Sequence, residues 1–292
     1  MKSAIELHQL TKAFSANTGV FALDLAVERG RIFGFLGPNG SGKTTTIRMM
    51  LSYLRPDSGQ ARLLGLDCQR DAIALRHRIG YLPAEFRLYE RDTGWGLLRY
   101  LAHYRPAGSY ERAKELAERL HVDLNGRIKH YSKGMKQKLA LIQALMHDPE
   151  LLILDEPTDG FDPLIQQEFH QMLIEARARG RTIFLSSHVL SEVEQLCDQV
   201  GIIRQGRLLT VERIEALRSR RLRILNIYFA RELDAKTIDL PNARFRAQHG
   251  QQASFSYSGE APALLPALEA LPIMDFTLVP ARLEDIFMEY YA

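Results

Sequence analysis

Apolar and polar residues alternate through Ile5-Glu6-Leu7-His8-Gln9-Leu10 and again through Phe21-Ala22-Leu23-Asp24-Leu25-Ala26-Val27. That period of two predicts two strands of an antiparallel sheet, each with one face in a core. The pattern then changes. Arg31-Ile32-Phe33-Gly34-Phe35-Leu36 is a short continuous apolar run ending in a glycine-rich turn, which opens a helix from about Lys43 to Leu51. Further buried strands are expected at Ile79-Gly80-Tyr81-Leu82, Leu151-Leu152-Ile153-Leu154 and Thr182-Ile183-Phe184-Leu185, separated by helical patterns. Such alternation predicts an α/β core with parallel strands. Between the first two of these strands lie helical candidates at 96–104, 110–120 and 133–146, which read as a helical subdomain, about residues 86–148, inserted in the core.

Beyond Val211 a helical stretch, Ile214 to Arg220, leads into the strand-like run Arg223-Ile224-Leu225-Asn226-Ile227-Tyr228-Phe229. This places a boundary near residue 221, with one domain over 1–221 and a small α+β appendage over 222–292. The appendage is expected to contain a strand at 253–257, a helix through 264–268 and a final helix over 283–290. Its role is open between a dimer clamp, a regulatory domain and a passive addition. No window approaches the roughly 18 consecutive apolar residues of a membrane span. The first residues alternate where a secretory leader would be continuously apolar.

Composition changes the picture mainly by exclusion. At 292 residues, with 46% hydrophobic and 25% charged positions, the chain has ordinary globular character rather than disordered or collagenous. A net charge of +3 is too small for the electrostatic footprint of a nucleic-acid binder, so no nucleic-acid partner is expected. Only Arg218-Ser219-Arg220-Arg221-Leu222-Arg223 is locally basic, which fits a solvated face better than contact with anionic lipid or RNA. Cys68 and Cys197 follow no metal-ligand spacing and read as reduced, packed thiols.

The chemistry is concentrated where strands end. Gly37-Pro38-Asn39-Gly40-Ser41-Gly42-Lys43-Thr44, followed by Thr45, satisfies the P-loop pattern and lies between a buried strand and a helix. Glycines let successive N–H groups curl around phosphate oxygens, the helix N-terminus favours an anion, and Lys43 puts a cation on the outer phosphates. Thr44 offers a hydroxyl to magnesium. The strand Leu151–Leu154 runs into Asp155-Glu156. By itself an acidic pair there would more often cap the next helix. With a P-loop, Asp155 reads as the Mg2+ carboxylate and Glu156 as the catalytic base that orients an attacking water.

At this point the chain resembles an ATP-binding cassette of the ABC family over roughly residues 4–215. Tyr131-Ser132-Lys133-Gly134-Met135-Lys136-Gln137 is similar to the family's signature sequence, with Ser132 and Gly134 matching its serine and second glycine. Pro157-Thr158-Asp159-Gly160-Phe161-Asp162 resembles the loop that passes between two sites, which adds Asp162 to the nucleotide-contacting set. Ser186-Ser187-His188 resembles the switch histidine, and Phe14 matches the aromatic that stacks on adenine, against the alternative of simple packing. The resemblance implies a cassette with a parallel-strand core, an antiparallel β subdomain and an inserted helical subdomain. It also implies ATP and Mg2+, and a head-to-tail dimer in which one copy's signature closes over the other's γ-phosphate. A permease on a separate chain completes the assembly, at the cytoplasmic face of the membrane.

Two departures stand out. Ala84-Glu85 occupies the place where the family carries a glutamine; Glu85 either reaches toward the nucleotide or is a surface glutamate. Lys133 and Met135 replace the usual signature glycine and glutamine. The signature stretch, with Leu283-Glu284-Asp285-Ile286-Phe287 near the end, is similar to the group that exports drugs, antibiotics, polysaccharides or lipids. By the same resemblance Phe86, Tyr89 or Trp95 would face the permease, with Leu97, Leu98 and Leu101 inside. The rival readings are a soluble ABC ATPase acting on ribosomes or DNA, and a regulatory cassette with weak hydrolysis. A single P-loop and the lack of an extended heptad run speak against the first.

Overall fold

The computed structural model describes residues 3–85, 88–219 and 223–280. The expected helix over 283–290, the stretch Leu283–Phe287, Phe86 and most of the basic run after Ser219 lie outside the described residues. Residues up to Glu212 form one compact unit and those from Arg213 onward another.

The first unit opens with β1 (Ser3–Ala13) and β2 (Gly19–Glu28), paired antiparallel as the alternation predicts, with Leu7 opposite Leu25 and Leu10 opposite Leu23. β3 (Ile32–Leu36) is buried at all five positions and feeds α1 (Lys43–Met50). β4 (Ser58–Leu63) and β5 (Leu66–Asp67) complete the first sheet, whose order is β2-β1-β4-β5. α2 (Ala72–Arg78) leads directly into β6 (Ile79–Leu82). Then come three helices, α3 (Gly94–Ala102), α4 (Ser109–Arg119) and α5 (Lys133–Leu145). After them the core resumes with β7 (Leu151–Asp155), α6 (Pro163–Ala178), β8 (Thr182–Ser187), α7 (Leu190–Leu196), β9 (Gln199–Arg204) and β10 (Arg207–Arg213).

The second sheet has the order β10-β9-β3-β8-β7-β6, and its pairings β3–β8, β3–β9, β7–β8 and β6–β7 are all parallel. Its central strands are apolar on both faces because each face is covered. Phe33 and Phe35 both pack against Phe184 in the adjacent strand. Each such side chain, fully buried, contributes about 1.5–3 kcal/mol to stability. Register then sets where the strand ends meet. Leu36 lies beside Ser187 and Asp155 beside Ser186, so β3, β7 and β8 deliver their carboxyl ends to one crevice.

The helical subdomain is pinned to this core at several points. A Cβ at Gly80 would stand 2.2 Å from the Ala144 carbonyl oxygen, so only glycine lets β6 and α5 approach this closely. Arg119 on α4 grips Glu168 and Glu175 on α6, each at 2.7 Å, which holds the Glu175 carboxyl below its usual range. Leu97 and Leu98 are buried as expected, while Leu101 is only half-buried. α3 turns just enough to leave that last leucine at the rim.

In the second unit, α8 (Ile214–Ser219) precedes β11 (Arg223–Phe229), β12 (Ala243–His249), β13 (Gln252–Tyr257), α9 (Ala261–Glu269) and β14 (Ile273–Pro280). The four strands form an antiparallel sheet in the order β12-β13-β11-β14. Leu225, Ile227, Phe229, Phe255 and Tyr257 bury one face together with Leu264 and Leu268 of α9. No helix among the described residues is long and apolar enough to cross a membrane.

Candidate functional site

The loop after β3 is shaped by backbone that side chains would obstruct. Gly42 stands at φ 109° as the cap of α1, and a Cβ at Gly37 would lie 2.4 Å from the Ile203 carbonyl oxygen. Pro38, Asn39 and Gly40 arch outward and are exposed, while Ser41 is buried and Thr45 half-buried. α1 has no side-chain cap, so the N–H groups of its first turn point into the loop with the positive end of the helix dipole.

Lys43 is only 5% exposed, and its ammonium donates to the carbonyl oxygens of Gly37 at 2.7 Å and Pro38 at 3.3 Å. Glu156 Oε1 lies 3.2 Å from the same ammonium. Thr44 Oγ1 donates to Asp155 Oδ2 at 2.8 Å, and Ser186 donates to the other oxygen of that carboxylate. Burial pushes the Asp155 carboxyl above its usual range, an effect that these two hydroxyls and Lys43 oppose and the Glu156 charge reinforces. Charge on this carboxylate is costly, and a divalent cation would relieve that cost. Thr44 and Asp155 supply the hard oxygens that magnesium takes.

Glu156 comes directly after the strand in a left-handed conformation, φ 50°, which a non-glycine residue adopts only under constraint. Its N–H is tied to the Ser186 carbonyl and hydroxyl, both at 3.2 Å. The twist turns its carboxylate across to His188, whose Nδ1 is 2.8 Å and whose backbone N–H is 3.3 Å from Oε2. Two buried oxygens here lack hydrogen-bond partners, Ser41 Oγ and Glu156 Oε1. An unmet donor in the phosphate loop fits a phosphate, and Glu156 Oε1, which faces the Lys43 ammonium at 3.2 Å, would be freed to meet a water once Lys43 turned to that phosphate.

The structure thus brings together Gly37–Thr45, Asp155, Glu156 and His188. It places the other candidates elsewhere. Ser132 is exposed and caps α5, accepting from the Met135 N–H at 3.2 Å. Gly134 faces the Gly160 carbonyl oxygen, Lys133 pairs with Asp159 at 3.2 Å, and Gln137 donates to the Pro157 carbonyl at 3.0 Å. The loop 157–162 therefore joins Glu156 to the start of α5. Asp162 at its end is engaged as the cap of α6, accepting from Ile165. No hydrogen bond or ion pair among the described residues connects Ser132, Gly134 or Asp162 to the phosphate loop.

Phe14 sits in the β1–β2 hairpin, 59% exposed, so its ring is not part of the core. Glu85 is exposed on a groove of about 410 Å3 lined by Arg48, Tyr53, Tyr81, Pro83 and Leu88, with no hydrogen bond to the phosphate loop. Tyr89 is exposed, and Trp95 is half-buried edge-on against Tyr110. Sequence reasoning gave no role to Ser186, although its hydroxyl fixes both acidic residues. The signal was present: two serines follow three apolar residues in a fully buried strand, where a hydroxyl must find a partner.

The comparisons agree with this geometry. The family model described as ABC transporter matches residues 20–159. The bacitracin transport ATP-binding protein BcrA of Bacillus licheniformis is 34% identical over 99% of this chain and 97% of its own length. Nod factor export ATP-binding protein I of Rhizobium meliloti is 32% identical over 98% of this chain and 87% of its own. Among solved structures, an ATP-binding subunit of an ABC transporter superposes with a TM-score of 0.69 at 29% identity, covering 74% of this chain and 92% of that one.

Proposed function

The chain belongs to the ABC transporter family as an ATP-binding subunit, and from that premise we propose that it hydrolyses ATP to drive an exporter, working with a second copy of itself and a separate permease. The observation that carries hydrolysis is the convergence of the Lys43 ammonium, the Thr44–Asp155 pair and the Glu156–His188 pair at the carboxyl ends of three adjacent strands.

In this reading the loop N–H groups and Lys43 bind the outer phosphates, with Lys43 exchanging carbonyl partners for phosphate oxygens. Thr44 and Asp155 would hold magnesium, which when bound would supply positive charge near those oxygens. Glu156 Oε1 orients the attacking water and takes its proton, while His188 holds Oε2 and keeps the carboxylate aimed. Phe14 offers an exposed ring for the adenine to stack on. Ser132 and the free N–H groups at the start of α5 supply an anion site of the same kind, exposed and without a phosphate loop opposite it in its own chain. A second copy placed head to tail would bring one. The groove around Tyr53, Tyr81 and Glu85 is the surface offered to the permease, at the cytoplasmic face of the membrane.

Relatives named for bacitracin transport and Nod factor export support the exporter reading over a ribosomal or DNA-directed ATPase. Cargo would be selected by the permease. Steady-state hydrolysis by the purified chain, abolished by EDTA and by Glu156→Gln, tests the enzyme. Absence of turnover even with permease present would leave a regulatory cassette, for which Ala84 gives the motive. Co-purification from detergent-solubilised membranes tests the partner: a stoichiometric multi-span protein is expected, and ribosomal or DNA-repair proteins in its place would overturn the reading.

A further inference from the structure

His188 is held from behind by a group that neither the nucleotide nor the attacking water would touch. Ser187 ends β8, and its hydroxyl donates to Glu192 Oε2 at 2.7 Å while accepting the Val189 N–H at 2.9 Å. Its carbonyl oxygen accepts the Gly37 N–H of the phosphate loop at 3.3 Å. The residues on either side of His188 are therefore tied to one hydroxyl, and that hydroxyl is tied to Glu192.

Glu192 is buried, at 8% exposure, inside the first turn of α7. In an ordinary capping box the third helical residue returns to the N–H of the cap residue. Here Val189 caps α7 without a side-chain oxygen, and the bond is relayed through Ser187 instead. The relay uses only half of the carboxylate. Glu192 Oε1 has no hydrogen bond, and His170 Nε2 on α6, 3.8 Å away, has none either. A buried carboxylate is costly to keep, and the one hydrogen bond that this one makes among the described residues goes to the residue that precedes His188.

We propose that Glu192 is a positioning residue for hydrolysis: by fixing the Ser187 hydroxyl it sets the backbone that aims His188 at Glu156. The inference rests on the reading that the Glu156–His188 pair acts in hydrolysis. It goes beyond that reading by assigning the aim of the pair to a residue that touches neither nucleotide nor water.

The test uses the full chain with ATP and magnesium, comparing Ser187→Ala, Glu192→Ala, the double variant and Glu192→Gln. Each single alanine variant should lower kcat about tenfold or more, since small misplacements of reacting groups are expensive, with KM for ATP within about twofold. Because both act through one bond, the double variant should be no worse than either single one. Glu192→Gln, which keeps an oxygen acceptor, should recover most of the rate. The His188 ring resonance, identified by its loss in His188→Gln, should move in both alanine variants and stay in place in Glu192→Gln. A lowered Tm with unchanged kcat and an unmoved His188 resonance would reduce Glu192 to a helix cap, and additive losses in the double variant would also overturn the proposal. If the unaltered chain hydrolyses nothing, the hydrolysis reading fails separately, and the His188 resonance still decides whether Glu192 positions that ring.

Discussion

The two ends of the loop 157–162 are built in opposite ways. At the Glu156 end, Lys43, Thr44, Asp155, Ser186 and His188 are buried, half-buried or tied down, and they are joined by contacts of 2.5 to 3.3 Å, so each side chain is fixed by at least one other. At the α5 end, Ser132 and Lys133 are exposed, and their interactions are a helix cap and a surface ion pair of the sort worth well under about 1 kcal/mol. A group fixed within its own chain is ready to do chemistry. One left open is ready to be completed by another surface. The contrast divides the site into a half that this chain finishes and a half that it offers.

The sharpest way to break this division is at its finished half. Glu156→Gln should lower kcat by about a hundredfold or more while ATP binding persists, because the amide preserves the shape but not the basicity. Steady-state turnover and equilibrium nucleotide binding measure the two sides. Next in size is the open half. Gly134→Asp, which puts an anion beside the start of α5, should leave nucleotide affinity in the free chain unchanged and lower turnover about tenfold or more. Mixing it with Lys43→Ala should restore part of the activity, since a mixed dimer retains one composite site. No recovery on mixing, with dimers present by sedimentation, would mean that each chain completes its own site.

A smaller effect concerns stability. Burial works against the Asp155 charge, so Asp155→Asn should raise Tm in metal-free buffer by about 2–4 °C, as ~1 kcal/mol does in a chain of this size, and magnesium should no longer raise it further. The last effect lies outside the site and leaves turnover alone. Burial pushes the His147 imidazole down to about 4 from its ordinary 6.5. A folded value below the unfolded one gives stability that is complete above pH 6.5 and is lost as pH falls toward 4. Denaturant unfolding should show this as a slope that approaches about 1.4 kcal/mol per pH unit between those two values, flattened in His147→Gln with turnover untouched.

How much of this was legible in the sequence depends on which forces wrote it. β3, β7 and β8 are buried on both faces, so their apolar runs announce them, and the motifs at their ends are fixed by the chemistry of phosphate. β4 was missed because Ser58-Gly59-Gln60 leaves the first three of its six positions exposed, with no apolar side chain among them. β12 and β14, the outer strands of the second unit's sheet, were missed for a related reason: an edge strand borrows its structure from its neighbour. In the site, residue types predicted the groups but not their partners. That Ser186 serves both acids, or that Glu192 reaches Ser187, depends on the register of β7 against β8 and on the turn into α7, neither of which composition records. Asp162, expected among the nucleotide-contacting residues, has one oxygen committed to α6, a bond that residue type alone does not announce.

α5 carries one consequence further. Its 13 residues make a rod of about 20 Å, with the open Ser132 at one tip and, at the other, the close approach of Ala144 to Gly80. A rod that pivots about one end amplifies. A tilt of about 10° at the Gly80 contact would sweep the Ser132 tip through roughly 3 Å, the length of a hydrogen bond. Without altering any residue that touches phosphate, replacing Gly80 by alanine would shift the fulcrum itself, and the reach of one copy toward the other would change with it.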